Sequence, residues 1–351
     1  MSKAIRTMKR RLTNSLYGAI FFSLVGFFFW VIETVPEVKL PSSTEPVEFY
    51  ANQNGDDLRT TVIHAIDSAK QSVMLVIYTL TDPGIIASLQ RKSNEGIPVT
   101  VILDGNASKG IDRKMRGNVR IVKRYAKGLT HQKILLIDGK SLLLGSANMT
   151  GESLKMHGNL MLGFESPALG KMVEEKLASL NEDGDRAIIP HQSFVMDGQK
   201  VEMWFLPDDR GAIERIKQLM RSAKKTIRVA MFTWTRYDFA DEIVAAAYRG
   251  VKVQIVLDNN QGQGASAKIV KLLAKKHIPI RLSSSAGLLH HKFMIVDDTI
   301  LVNGSANWTK AAFTQNDDCF IVLQDLTDKQ KEQLTRLWSI VWAESKPPDL
   351  R

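Results

Sequence analysis

Apolar runs recur along most of the chain, separated by stretches with helical patterning. One run spans 73–79; a helical segment over about 56–70 precedes it, and a second helix and a β-branched run at 99–103 follow. The same succession returns at 210–224, 227–233 and 251–257. Strands alternating with helices predict α/β units around a central sheet. The recurrence is a duplication, because residues 47–106 align without a gap to 201–260. Val47-Glu48 matches Val201-Glu202, Ser68-Ala69-Lys70 matches Ser222-Ala223-Lys224, and Leu103-Asp104 matches Leu257-Asp258. A repeat of this length at fixed offset predicts two similar folded halves, 47–190 and 200–345.

The N-terminus breaks the pattern. Residues 16–32 carry no charge, with Lys3, Arg6, Lys9, Arg10 and Arg11 before them and Glu33 and Glu37 after. This predicts a cytoplasmic basic head over 1–15, a membrane-spanning anchor at 16–33 and a Pro/Ser-containing linker at 34–46. The positive head places the remainder outside the cytoplasm as a single-pass membrane protein, with a cleaved and secreted form as the alternative.

Composition adds limits. The net charge of +10 suggests a polyanionic partner, but the first fifteen residues account for half of it, so the rest is only mildly basic. Cys319 is the one cysteine and sits in an apolar run, which excludes an intrachain disulfide and cysteine-type zinc sites. His64, His157, His191 and His277 follow no metal-ligand spacing, and no cofactor is expected.

The repeat continues into a motif of higher information content. The first half reads His131-Gln132-Lys133, Asp138, then Gly145-Ser146-Ala147-Asn148; the second reads His290-His291-Lys292, Asp297, then Gly304-Ser305-Ala306-Asn307. Both follow H-x-K-x4-D-x6-G-S-x-N with identical spacing. On a strand, residues two apart share a face, so each histidine projects with its lysine. His291, at the variable position, is expected to face away. Two halves facing each other would converge two imidazoles, two ammonium groups, two hydroxyls and two amides on a tetrahedral phosphate. One neutral imidazole can attack phosphorus while the other, protonated, serves the departing oxygen. The lysines balance the phosphate charge without a metal. Asp138 and Asp297 complete the catalytic set, although each also suits a turn after its strand. Ser146, Asn148, Ser305 and Asn307 are candidate substrate contacts.

These motifs resemble those of the phospholipase D superfamily in its two-motif single-chain form, and the N-terminus suggests a membrane-anchored bacterial-type member. The resemblance covers roughly 45–345. It implies two α/β halves, each a mixed sheet flanked by helices, packed with pseudo-twofold symmetry around one active site in a monomer. It also implies a phosphohistidine intermediate, with His131 as nucleophile and His290 as general acid and later base. Eleven residues after the motif asparagine the family usually carries an acid that orients a catalytic ring. Asn307 leads to Asp318, which joins the candidate site residues, but Asn148 leads to Asn159. Asparagine can accept from a ring N–H but cannot stabilise an imidazolium by charge. Which histidine gains from Asp318 is open, because the halves could serve each other. The expected substrate is a phospholipid headgroup ester, hydrolysed or transferred. A nuclease acting on DNA or RNA is the alternative, and a non-catalytic phosphate-binding module is disfavoured by two complete motifs.

Overall fold

The computed structural model describes residues 38–349. The expected anchor at 16–33, the basic head and the start of the linker lie outside the described residues. Among the described residues no helix is long and apolar enough to cross a membrane.

The first half contributes β1 (Glu48–Ala51), β2 (Val73–Ile77), β3 (Val99–Asp104), β4 (Arg120–Arg124), β5 (Ile134–Ile137), β6 (Ser141–Gly145) and β7 (Leu160–Glu165). They form a sheet of order β1-β7-β6-β5-β2-β3-β4. The second half contributes β8 (Gln192–Met196), β9 (Gln199–Leu206), β10 (Thr226–Met231), β11 (Lys252–Leu257), β12 (Ile280–Ser283), β13 (Lys292–Val296), β14 (Ile300–Gly304), β15 (Asp318–Gln324) and β16 (Ser345–Lys346). Their order is β16-β12-β11-β10-β13-β14-β15-β9-β8. With β8 and β16 set aside at the edges, the two orders coincide strand for strand. The molecule is thus a mixed α/β fold of two sheets with flanking helices.

The apolar runs are continuous because each central strand is covered on both faces. Val76, Ile134 and Leu136 point into a core shared by the two sheets, together with Ala230, Val256, Phe293 and Ile295. The helices Pro167–Ala178 and Asp328–Ala343 complete that core through Leu169, Val173, Leu334 and Trp338. The alternate residues Leu75, Ile77, Leu135 and Ile137 pack outward beneath the helices Leu58–Asp67 and Pro83–Asn94. Val229, Met231, Met294 and Val296 do the same beneath Ala212–Ser222 and Tyr237–Tyr248. From Leu40 onward this is one compact unit rather than two separable ones.

Strand direction then fixes where chemistry can sit. β2, β3 and β4 run parallel, as do β10, β11 and β12. β5 and β13 run antiparallel to β2 and β10, so they begin where those strands end. The residues just before β5 and at the start of β13 therefore lie at the carboxyl edge of the parallel strands, where open α/β sheets leave a crevice.

Candidate active site

His131 and Lys133 precede β5, and His290 and Lys292 lead into β13. The backbone of each histidine is fixed by the opposite half. His131 N–H donates to the Asp317 carbonyl at 2.8 Å, and Thr130 bridges in parallel to Asp317. His290 N–H donates to the Gly158 carbonyl at 3.0 Å, and Leu289 bridges to Gly158. One residue earlier, carboxylates anchor each segment within its own half. Asp104 accepts from Thr130 N–H and Asp258 from Leu289 N–H, both at 3.1 Å.

The rings follow the same crossing. His131 Nδ1 lies 2.7 Å from Asp318 Oδ1, and His290 Nδ1 lies 3.1 Å from Asn159 Oδ1. Asn159 Nδ2 donates to the Ser153 carbonyl at 2.7 Å, which turns its oxygen toward His290. His290 Nδ1 is therefore the donor in that pair, and Nε2 carries the lone pair. The question the sequence left open has a definite answer: Asp318 serves the histidine of the other half, and so does Asn159.

Ser146 and Ser305 are fully buried and do not face a ligand. Ser146 donates to Asn159 Oδ1 at 2.8 Å and accepts from Leu160 N–H; Ser305 donates to Asp318 Oδ1 at 2.7 Å and accepts from Cys319 N–H. Their role is to hold the ring-orienting residues, which corrects their expected place among substrate contacts. Asp318, likewise, positions His131 instead of reaching for substrate. The preceding glycines are required sterically, because a Cβ at Gly145 or Gly304 would fall 2.2 Å from the Leu160 carbonyl oxygen or 2.3 Å from that of Cys319. Asn148 and Asn307 remain partly exposed. Asn307 Oδ1 accepts from Thr233 N–H at 3.3 Å, while Asn148 Oδ1 has no partner among the described residues.

Each lysine folds back onto its own motif. Lys133 Nζ donates to the His131 carbonyl at 2.7 Å and Lys292 Nζ to the His290 carbonyl at 2.8 Å. Tyr78 lies against His131 and beneath Lys133, and Phe232 lies against His290 and beneath Lys292. These aromatics occupy matching places in the repeat, and that match was the signal available for finding them in sequence. Asp104 and Asp258 were visible in the same way. His157, whose ring centre is 6.3 Å from that of His290, had no such signal, because its counterpart is Asn316.

Burial and like charge make this an electropositive cleft waiting for an anion. Burial brings the Lys133 ammonium down to about 8, and burial together with Lys133 holds Lys292 well below the ordinary lysine value. His290 is held well below its usual value by burial and then by Lys292 and Lys133. Burial also lowers His131, but the Asp318 carboxylate opposes it. The two imidazoles are thus unequal, with His290 the weaker base. His291 is buried against Gln53 at 2.6 Å, turned from the cleft as expected. Cys319 is buried with its thiol pushed up to about 12, a core residue rather than a nucleophile.

Asp138 and Asp297 lie at the far ends of β5 and β13 from the histidines. The Asp138 carboxylate accepts from the N–H groups of Lys70, Gln71 and Ser72 at 2.7–3.0 Å, and Asp297 from those of Lys224, Lys225 and Thr226 at 2.7–2.9 Å. Burial pushes both carboxyls up, but these amides outweigh it and hold them below the usual range. Both residues adopt positive φ, 53° and 52°. Their place in the catalytic set is therefore corrected: they tie the strand end to the loop after a helix. Asp297→Ala should destabilise the fold by about 2 kcal/mol, because it orphans three donors at a left-handed position. Thermal unfolding and kinetics separate the readings. A lowered midpoint with kcat per folded molecule within about twofold is expected, whereas a hundredfold loss of kcat at normal stability would return Asp297 to the chemistry.

A family model described as "Cardiolipin synthase, PLD-like domain" matches the chain twice, at 62–181 and 216–338. Mitochondrial cardiolipin hydrolase of Chlamydomonas reinhardtii is 34% identical over 131 residues, which is 37% of this chain and 58% of that protein. The human mitochondrial cardiolipin hydrolase is 26% identical over 142 residues, 40% of this chain and 55% of its own. The chain thus spans little more than half the length of these relatives. In overall fold it is similar to the phosphatidylserine synthase of Haemophilus influenzae, with a TM-score of 0.67 and 13% identity over 88% of each chain. The two family matches together cover well over half of the sequence, one on each half, and the chain belongs to the phospholipase D-like family, within the phospholipase D superfamily of phosphodiesterases.

Proposed function

We propose that the protein cleaves a phospholipid headgroup ester through a phosphohistidine on His131. The observation that carries this reading is the crossed pair His131–Asp318 and His290–Asn159, which leaves both Nε2 atoms directed away from their anchors beside two buried ammonium groups. His131 Nε2 attacks phosphorus, a P–N bond forms, the P–O bond to the alcohol breaks, and His290 gives that oxygen its proton. The phosphorylated ring is cationic, and the Asp318 carboxylate offsets that charge as it develops. Asn159 is neutral, which suits a ring that must release its proton. The depressed basicity of His290 makes it a strong acid once charged, and the incoming phosphodiester anion offsets the lysines that disfavour charging it. Water then attacks phosphorus, His290 takes its proton, and the P–N bond breaks.

The lipid preference is supported by the named activity of the cardiolipin hydrolase relatives and by the expected N-terminal anchor, which would hold the site beside a bilayer. Purified protein should release headgroup from phosphatidylglycerol or cardiolipin vesicles in the continuous presence of EDTA, and should leave single-stranded DNA and RNA intact. Cleavage of nucleic acid without turnover of lipid would make the protein a nuclease. Loss of activity in EDTA with recovery on a divalent ion would overturn the metal-free scheme.

A further inference from the structure

The turn that holds His131 is itself held by charge, and its counterpart beneath His290 is not. Asn316, Asp317 and Asp318 are consecutive and buried, and each bonds the segment 129–131. Asn316 Oδ1 accepts from Leu129 N–H at 3.1 Å; Asp317 donates its N–H to the Leu129 carbonyl and accepts from His131 N–H; Asp318 orients the ring. In the other half His157, Gly158 and Asn159 take these places, and none carries a carboxylate.

The Asp317 carboxylate lies between two guanidinium groups. Its Oδ2 accepts from Arg124 Nη2 at 2.8 Å; its Oδ1 accepts no hydrogen bond among the described residues and faces Arg186 Nη1 at 3.2 Å. Arg124 ends β4 fully buried, and its guanidinium also donates to the Asn181, Gly184 and Asp185 carbonyls. Arg186 extends the network, with Nε 3.4 Å from Asp208 Oδ1; Asp208 Oδ2 accepts from Lys176 Nζ at 2.5 Å and from Ile189 N–H at 3.0 Å. The second half has Ser283 in the place of Arg124. The register shows it, since Asp104 pairs with Arg124 and Leu257 with Leu282, so that Ser283 falls beside Asp258. At the matching places behind His290, Gly158 and Ser283 thus supply neither carboxylate nor guanidinium.

Arg186 differs from the other members in keeping contact with solvent, its side chain 24% exposed against at most 1% for theirs. It belongs to the connection 179–191 between the helix Pro167–Ala178 and β8, so it ties the passage between the halves to the turn under His131. A buried carboxylate that loses one partner draws in water or turns outward. Here that movement would carry the Asp317 carbonyl that fixes His131. We infer that Arg186 is a positioning residue for phosphoryl transfer: by balancing Asp317 and Asp208 together it sets the line along which His131 Nε2 approaches phosphorus. The inference rests on His131 as the nucleophile.

First-turnover release of nitrophenolate from bis(4-nitrophenyl) phosphate by the full chain measures P–N bond formation directly. Arg186→Gln should lower that rate per folded molecule by at least about tenfold, the scale of a ring displaced by part of an ångström, with the half-saturating ester concentration within about twofold. Arg186→Lys keeps the charge without the two-armed reach and should fall between glutamine and wild type. Because the defect lies in the attack, Arg186→Gln should lose a similar factor on phosphatidylglycerol vesicles, whose leaving alkoxide needs a proton from His290. A loss several-fold larger on the lipid would place Arg186 with the proton donor and overturn the inference. Equal first-turnover rates in folded Arg186→Gln and wild type, whatever happens to the unfolding midpoint, overturn it too. If the glutamine variant does not fold, the lysine variant decides by the same measurement, and an unchanged rate is the refuting result. No nitrophenolate release by the wild type, or an adduct that maps to His290, removes the underlying assignment and the inference with it.

Discussion

His131→Ala should form no phosphoenzyme with any ester, because the atom that attacks phosphorus is gone. His290→Ala should fail differently. It keeps the nucleophile with its Asp318 partner 2.7 Å away and loses only the proton donor. For an alkyl leaving group that loss is about 10²–10⁴-fold in kcat. A nitrophenyl leaving group needs little protonation, so the His290 variant should still form the adduct with such an ester. The adduct should then accumulate, since the base that activates water is missing too. Intact-mass measurement after a quench reads both outcomes. An adduct in His131→Ala and none in His290→Ala would exchange the two roles, and normal turnover in either variant would end the two-histidine scheme.

Lys133→Met should move activity and stability in opposite directions. Removing a preorganised charge from the transferring phosphoryl group costs about 10²–10³ in kcat/KM, the scale seen when one electrostatic donor is lost from an active site. The same substitution relieves a buried like-charge conflict. The folded Lys133 titrates at about 8 and the unfolded chain near 10.5, so between those values the unfolded state binds more protons and stability rises with pH. At pH 7, below both, the full cost of burying the charged form is present, and methionine removes it. The unfolding midpoint of Lys133→Met at pH 7 should therefore match or exceed that of the wild type. His290, freed from one cation, should hold its proton to higher pH, which moves the alkaline limb of the rate profile upward. A clear fall in the midpoint, or an unmoved limb, would show that Lys133 is a structural cation.

Much of this was legible in the sequence because the repeat states it twice. Runs buried on both faces at fixed offset gave the strands, and the histidine–lysine spacing of two gave a shared face. The strand boundaries came out shorter than expected near the site, since Thr79 and Thr233 leave β2 and β10 to bond Met149 and Asn307. Asp138 and Asp297 misled for a physical reason. Identity of spacing says nothing of direction, and five residues of extended chain beyond the lysine cover about 16 Å, which carries the carboxylate to the other end of the sheet. Ser146 and Ser305 misled because a hydroxyl near a histidine can serve its orienting group as readily as a ligand. The pairing of His131 with Asp318 across 187 positions was beyond reach, since it depends on how two sheets face each other.

That crossing has a consequence for how the chain can vary. In an assembly of two identical one-motif copies, each substitution near a ring would alter both rings at once. Here the copies are covalently joined but read each other's residues, so drift in one copy is expressed in the imidazole of the other. Of the two rings, Asn159 in the first copy bonds that of His290, while Asp318 in the second bonds that of His131. Duplication thereby frees two ancestrally equivalent rings to take up separate tasks. It also binds the copies into joint inheritance: exchanging one half for that of a divergent relative would bring each histidine an orienting residue selected for a different ring.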